Sequence, residues 1–245
     1  IYEINGFNSA TKERFMKPKR LGFLCIGAGV LSAGMLLAED NAAERLQESA
    51  LVMNEVMATP DKAIPQELLQ NSECVVIVPG MKKAAFIIGA KYGKGFLLCR
   101  EASGVGWSAP AAIMVEGGSF GFQIGGSETD VVMLVMNKGG VEKLLSSKFT
   151  LGADASVAAG PVGRTSSANT DLQMRAEILS YSRARGLFAG LALDGATLRP
   201  DEGTNKDLYG SEITNREIVT GTKIKKSAAG ANLTAVMNKY SPRNK

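Results

Sequence analysis

An α+β fold on a curved, barrel-like antiparallel sheet, with glycine-rich strands and flanking helices, is what this 245-residue sequence predicts. Three observations predict it. From Cys74 onward, short β-like apolar runs are punctuated by Gly and Pro at hairpin spacing. The stretch "GGSFGFQIGGSETDVVMLVMN" (117–137) packs five glycines into its first ten residues, then enters an apolar run that reads as strand. Helical spacing of apolar residues is clearest at the two flanks of this region.

In chain order, "NAAERLQESALVMNEVMAT" (41–59) sets Leu46, Ala50, Met53 and Met57 at helical spacing, with Asn41 as N-cap and Thr59-Pro60 as the stop. That stripe reads as core-facing, and its charges are mainly acidic. Pro65 opens a short helical turn, "PQELLQN". The strand-like runs are "CVVIVPG", "KAAFIIGAKYG", "GFLLCREA", "AAIMVEGG", "FGFQIGG" and "DVVMLVMN". "GGVEKLLSS" reads as a helical turn. "LGADASVAAG", "EILSYSRA" and "GLFAGLALDG" resume the strands, and "TAVMNKY" closes in a helix. Residues 39–222 therefore read as one domain, followed by a basic C-terminal tail or helix over 223–245.

The first forty residues read as an address. Lys17, Lys19 and Arg20 precede an apolar run, Leu21–Ala38, and Glu39-Asp40 follow it. This is the pattern of a signal peptide over 16–38, with cleavage after Ala38 and Met16 as the expected start. Residues 1–15 then read as a non-native upstream extension. The rival reading is an uncleaved anchor, since eighteen apolar residues just span a bilayer. Four glycines and Ser32 within the run favour cleavage. The expected location is exported, periplasmic or extracellular, and peripheral to a membrane.

A glycine-rich stretch raises the question of phosphate binding by a nucleotide enzyme. A dinucleotide fingerprint needs its glycines between a strand and a helix, whose N-terminus then faces phosphate. Here the glycines fall as GG-x-x-G-x-x-x-GG, with strand on the far side and no Lys-Ser/Thr pair. Strand glycines instead permit bends, bulges and close backbone approach. This stretch is scaffold.

Composition narrows the chemistry further. The chain contains no histidine, which removes Ser-His-Asp and Cys-His catalysis and imidazole metal ligands. Ser103, Ser108, Ser119 and Lys91 form no S-x-x-K motif. Glu128 and Asp130 in "SETD" read as turn formers and hairpin charges, with nothing to mark a sugar cleft. No catalytic, metal or cofactor site is expected. The net charge of +4 sits at the ends, because residues 39–222 carry 17 basic and 22 acidic side chains. That distribution gives no case for nucleic acid as a partner.

Within this acidic region, Met81–Arg100 holds Lys82, Lys83, Lys91, Lys94 and Arg100 and no acid. Lys82-Lys83 follow Pro79-Gly80, and "KYGKG" carries Tyr92, so both groups read as turns at one rim of the sheet. Ammonium groups with an aromatic ring suit anionic lipid headgroups. The plainer reading is that these lysines only solubilise two hairpin turns. Cys74 and Cys99, each in a strand-like run, are candidates for one disulfide in an exported protein, or else two buried thiols.

The segments "FIIGAKYGKGFLLCR", "GWSAPAAIMVEGGSFGFQIGGSETDVVMLVMN", "KFTLGADASVAAGPVGR" and "EILSYSRARGLFAGLALDGATL" together resemble the SYLF domain, a lipid-binding module. The resemblance extends over roughly 42–221. Eukaryotic members join this domain to SH3 or FYVE modules and bind phosphoinositides, in some cases actin. Bacterial members are similar to this chain, with a signal sequence before the domain. The resemblance implies non-catalytic binding to anionic phospholipid membranes without a cofactor. The alternative is a non-enzymatic envelope scaffold that binds a protein partner.

Overall fold

Strand structure begins where the β-branched run begins. Cys74–Ala85 (β1) and Ile88–Cys99 (β2) form an antiparallel hairpin. Ala111–Phe120 (β3) adds to β2, and Gly125–Val135 (β4) adds to the other edge of β1. The computed structural model describes residues 41–58, 63–85, 88–120, 125–163, 175–184, 186–191, 193–221 and 224–242. The expected leader and upstream extension lie outside the described residues.

Five shorter strands extend the sheet: Phe149–Thr150 (β5), Val157–Ala159 (β6), Ile178–Ala184 (β7), Leu187–Gly190 (β8) and Thr197–Pro200 (β9). The order is β5-β9-β3-β2-β1-β4-β7-β6, with β8 also on β7. Among the described residues β6–β7 is parallel and the other strand pairings are antiparallel. The sheet is strongly curled, as the glycine-rich pattern predicts.

Apolar runs without a polar alternation mark strands buried on both faces. Val75, Ile77, Phe96, Leu98, Val132 and Leu134 pack under Ala42–Ala58 (α1) and Ala228–Tyr240 (α6). Their strand neighbours Cys74, Val76, Leu97, Val131 and Met133 face the opposite way. There they meet Phe149, Leu198 and the residues Ile218 and Val219. Helix α1 buries Leu46, Ala50 and Met53 of the predicted stripe, with Met57 partly buried against the same core.

The curl has a local cause in β1. The β1–β2 register shifts by one residue between Ile77 and Lys82, at Pro79-Gly80. Gly80 adopts φ +57°, and its N–H donates to Asp130 Oδ1 at 2.9 Å. On β2, a Cβ at Gly95 would stand 2.1 Å from the Ile77 carbonyl oxygen. Gly95 thus lets the bulged strand fold over its neighbour.

At the opposite end of the hairpin, Cys74 and Cys99 are directly paired across β1 and β2. Their Cα atoms are 3.9 Å apart, and a disulfide joins them.

Three sequence expectations are corrected. Lys82-Lys83 and "KYGKG" lie within β1 and β2 rather than in turns, because Pro79-Gly80 makes a bulge that the strand passes through. "SETD" likewise lies within β4, where pairing with β1 holds it extended. The C-terminal segment is more than a basic tail, since α6 buries Leu233, Thr234 and Met237.

The remaining helices are Gln66–Asn71 (α2), Lys138–Leu144 (α3), Glu202–Tyr209 (α4) and Asn215–Thr220 (α5). The last two escape a search for apolar periodicity. Asp201 caps α4 through the Thr204 N–H, and a Thr214–Glu217 capping box starts α5. Both are fastened to β3 by buried amides: Ala112 N–H donates to Asn205 Oδ1 at 2.7 Å, and Asn215 Nδ2 donates to the Ala112 carbonyl at 3.2 Å. Among the described residues no helix is long and apolar enough to cross a membrane.

Candidate functional site

Strand alternation sorts the predicted lysines onto two faces. Tyr92 and Lys94 share the face of Phe96, which lies under α1, and Lys82 is the β1 partner of Tyr92. Lys83 and Lys91 are directly opposed on the other face, with Ser127 flanking Lys83 on β4. Both pairs stand near the strand ends Ala85 and Ile88, so one rim of the sheet carries cations on both sides. The rim expectation stands on different geometry from the one read in the sequence.

Like charges placed directly across a strand pair repel. Partial burial, followed by the charge of Lys83, pushes Lys91 below the ordinary lysine value, and Asp194 pulls it back up. The fold tolerates this rather than relieving it.

On the α1 side, Lys82, Tyr92 and Lys94 line a groove of about 450 Å³. Asn41, Glu44, Arg45 and Glu48 form the helical wall, with Pro79, Gly80, Gly93 and Glu128 below. Arg45, a contributor the sequence reading missed, is buried and stands 5.9 Å from the Phe96 ring centroid. Burial lowers its pKa, while Asp201, Tyr92 and Glu48 act in the other direction. Its one sequence signal is a cation adjoining the buried stripe at Leu46.

The segment that is acid-free in sequence meets acids in space. Lys82 pairs in register with Glu128 of β4, and Lys94 Nζ is 3.2 Å from Asp201 Oδ2. Burial pushes Asp201 up, but hydrogen bonds from Thr204 and the Lys94 ammonium outweigh it and leave the carboxyl below its usual range. Lys94 therefore also secures the start of α4. Tyr92 is exposed, and its hydroxyl lies 3.6 Å from Met114 Sδ.

Arg100 is placed elsewhere and is not available to a headgroup. It is buried, with its guanidinium 3.9 Å from the Trp107 ring centroid. It donates to the carbonyls of Ser72, Leu69, Gln70 and Ser241, joining the ends of α2 and α6. Sequence gave it the same sign as the lysines and no hint of this burial.

A second groove, of about 430 Å³, adjoins the first and shares Glu48, Pro79, Gly80 and Glu128 with it. Here Arg183 of β7 contacts Asp130 Oδ2 at 2.7 Å and pairs with Glu55 of α1. Burial pushes the Asp130 carboxyl up, the Gly80 N–H opposes this, and the charge of Glu128 adds to it. Among the described residues no group of three His, Cys, Asp or Glu side chains is placed to hold a metal ion.

The Ysc84 family model, described as "Las17-binding protein actin regulator", matches residues 116–240. The chain is 35% identical over 180 residues to an SH3 domain-containing protein of Schizosaccharomyces pombe, covering 72% of this chain and 41% of that one. It is 33% identical over 182 residues to SH3 domain-containing YSC84-like protein 1 of Rattus norvegicus, covering 74% and 53%. It is 30% identical over 189 residues to LAS seventeen-binding protein 3 of Saccharomyces cerevisiae, covering 76% and 40%. The chain spans about half or less of the length of these curated relatives.

Proposed function

Because the chain belongs to the Ysc84 (SYLF-domain) family, we propose that it is a non-catalytic module that docks on anionic phospholipid surfaces. The observation that carries this reading is the opposed pair Lys83–Lys91 beside the Lys82–Tyr92 pair, at one end of the sheet. Two ammonium groups facing each other cost stability that an anionic surface would return. Tyr92 adds an amphipathic ring suited to the headgroup layer. The setting we propose is the cell envelope, reached through the signal-like segment 16–38. Mass spectrometry of protein recovered from a bacterium should find its N-terminus near Glu39, whereas retention of Lys17 would indicate an anchor.

The test is co-sedimentation with phosphatidylglycerol or phosphatidylcholine vesicles over a salt series. Each lysine near the surface contributes about 1 kcal/mol, so Lys82→Gln/Lys83→Gln/Lys91→Gln should lose about 3 kcal/mol, on the order of a hundredfold. Lys94 is left intact because its removal would strand Asp201. Parent binding to phosphatidylglycerol should fade with salt, and phosphatidylcholine should bind weakly. A triple variant that binds like the parent would refute the site. A relative named for binding Las17 supports a second reading, in which a protein is the partner. Absence of binding to every vesicle would favour it.

A further inference from the structure

The lipid reading leaves the second groove unused. Its apolar wall is Leu51, Val52 and Pro79. Leu51 is 58% exposed, although α1 already buries Leu46, Ala50, Val52, Met53 and Val56 against the sheet. A leucine on the outer face of such a helix adds nothing to the core. Leu187, 65% exposed on β8, follows Gly186, which also lines the groove. Among the described residues these two and Tyr92 are the exposed large hydrophobics. Leu51 thus leaves apolar surface exposed in the groove among charged side chains, with Leu187 at its edge.

The rim is acidic. Glu48, Glu55, Glu128 and Asp130 line it with one cation, Arg183, which Asp130 and Glu55 already engage, while Arg45 and Lys82 neighbour Glu48 and Glu128 from the first groove. That clamp and the Gly80–Asp130 hydrogen bond fix the wall before any ligand arrives, which reduces the ordering cost of binding.

We propose that this groove docks a basic segment of a protein partner. An apolar side chain of the partner rests on Leu51, Val52 and Pro79, and Lys or Arg side chains lie over Glu48 and Glu128. Charge complementarity commits the site to this occupant. An anionic surface would be repelled, and an uncharged segment would desolvate carboxylates without compensation. The proposal does not rest on the lipid reading, since Lys83 and Lys91 occupy the other face of the sheet and Lys82 lines only the first groove.

The test titrates the full chain into a fluorescein-labelled synthetic peptide of Leu and Lys at helical spacing. Fluorescence anisotropy should show saturable, salt-sensitive binding, and a peptide with Glu in place of Lys should not bind. Leu51→Asn should weaken the complex about tenfold, as expected for one buried leucine-sized contact. Glu48→Gln/Glu128→Gln should weaken it about tenfold, at two- to fivefold for each exposed charge. Both variants alter exposed side chains and should melt with the parent. Phosphatidylglycerol binding should persist in Leu51→Asn. Absence of peptide binding, equal affinity for the Glu peptide, or an effect of the charge variant with none from Leu51→Asn would overturn the groove. The last outcome would assign the attraction to diffuse charge.

Discussion

Lys91 ties stability to the proposed lipid docking through a single side chain. Its folded pKa lies below the ordinary lysine value, so the unfolded chain holds this proton to higher pH than the folded one. Stability from this group therefore increases as pH rises through the depressed value toward the ordinary one. Vesicle affinity should move the other way, because the same step removes a cation from the rim. Lys91→Arg should abolish this alkaline loss of affinity, as arginine keeps its charge. A vesicle titration on the alkaline side of neutrality, parent against variant, checks it. Identical profiles would show that Lys91 does not face the lipid. Arg100 carries the contrasting prediction. Removing it strands the carbonyls of Ser72 and Ser241 in a buried setting. Arg100→Met should cost about 3 kcal/mol by denaturant melting. The folded fraction should still bind vesicles like the parent. Nothing in "LLCREA" separates this arginine from the nearby lysines, because the difference lies in partners drawn from α2 and α6.

At the scale of elements, the bulge in β1 and the glycines opposite it act as one device. Gly95→Ala brings a methyl group against the Ile77 carbonyl, so the strand must shift, at about 2 kcal/mol by thermal melting. Unchanged melting would show that the bulge does not depend on that approach. The main strands were legible in the sequence because burial on both faces writes uninterrupted apolar runs such as "CVVIV" and "VVMLV". Pro79-Gly80 was misread as a turn, since the same dipeptide serves a turn or a bulge and only the pairing of Lys82 with Tyr92 decides. Helices α4 and α5 were illegible for another reason: amide hydrogen bonds from Asn205 and Asn215 to Ala112 hold them, and these span about ninety or more positions in sequence. Helix α6 was read correctly as a helix, but its share of the core was not. Deleting 223–245 should therefore unfold the domain rather than trim its charge, and a folded, vesicle-binding truncation would contradict the packing of Leu233 and Met237.

Across the whole molecule, the β1–β2 hairpin is bridged at one end and carries the candidate lysines at the other. The Cys74–Cys99 disulfide, at a sequence separation of 25, sits at the closed end. Loop-closure entropy assigns it about 3 kcal/mol, so reduction should lower the melting temperature. Two cysteines open to alkylation in the native protein would show that the bridge is not formed there. At the other end the lysines were legible in the sequence, but it could not show Glu128, Asp194 and Asp201 arriving from β4 and beyond. The central claim is that the fold holds Lys83 against Lys91 at a cost, for the sake of an anionic surface. The measurement that tests it pairs a denaturant melt with phosphatidylglycerol sedimentation on Lys83→Gln/Lys91→Gln. Relief of the opposed charges should raise stability by about 0.5 kcal/mol. Affinity should fall by about 2 kcal/mol, roughly thirtyfold. Lower stability together with unchanged affinity would contradict the account.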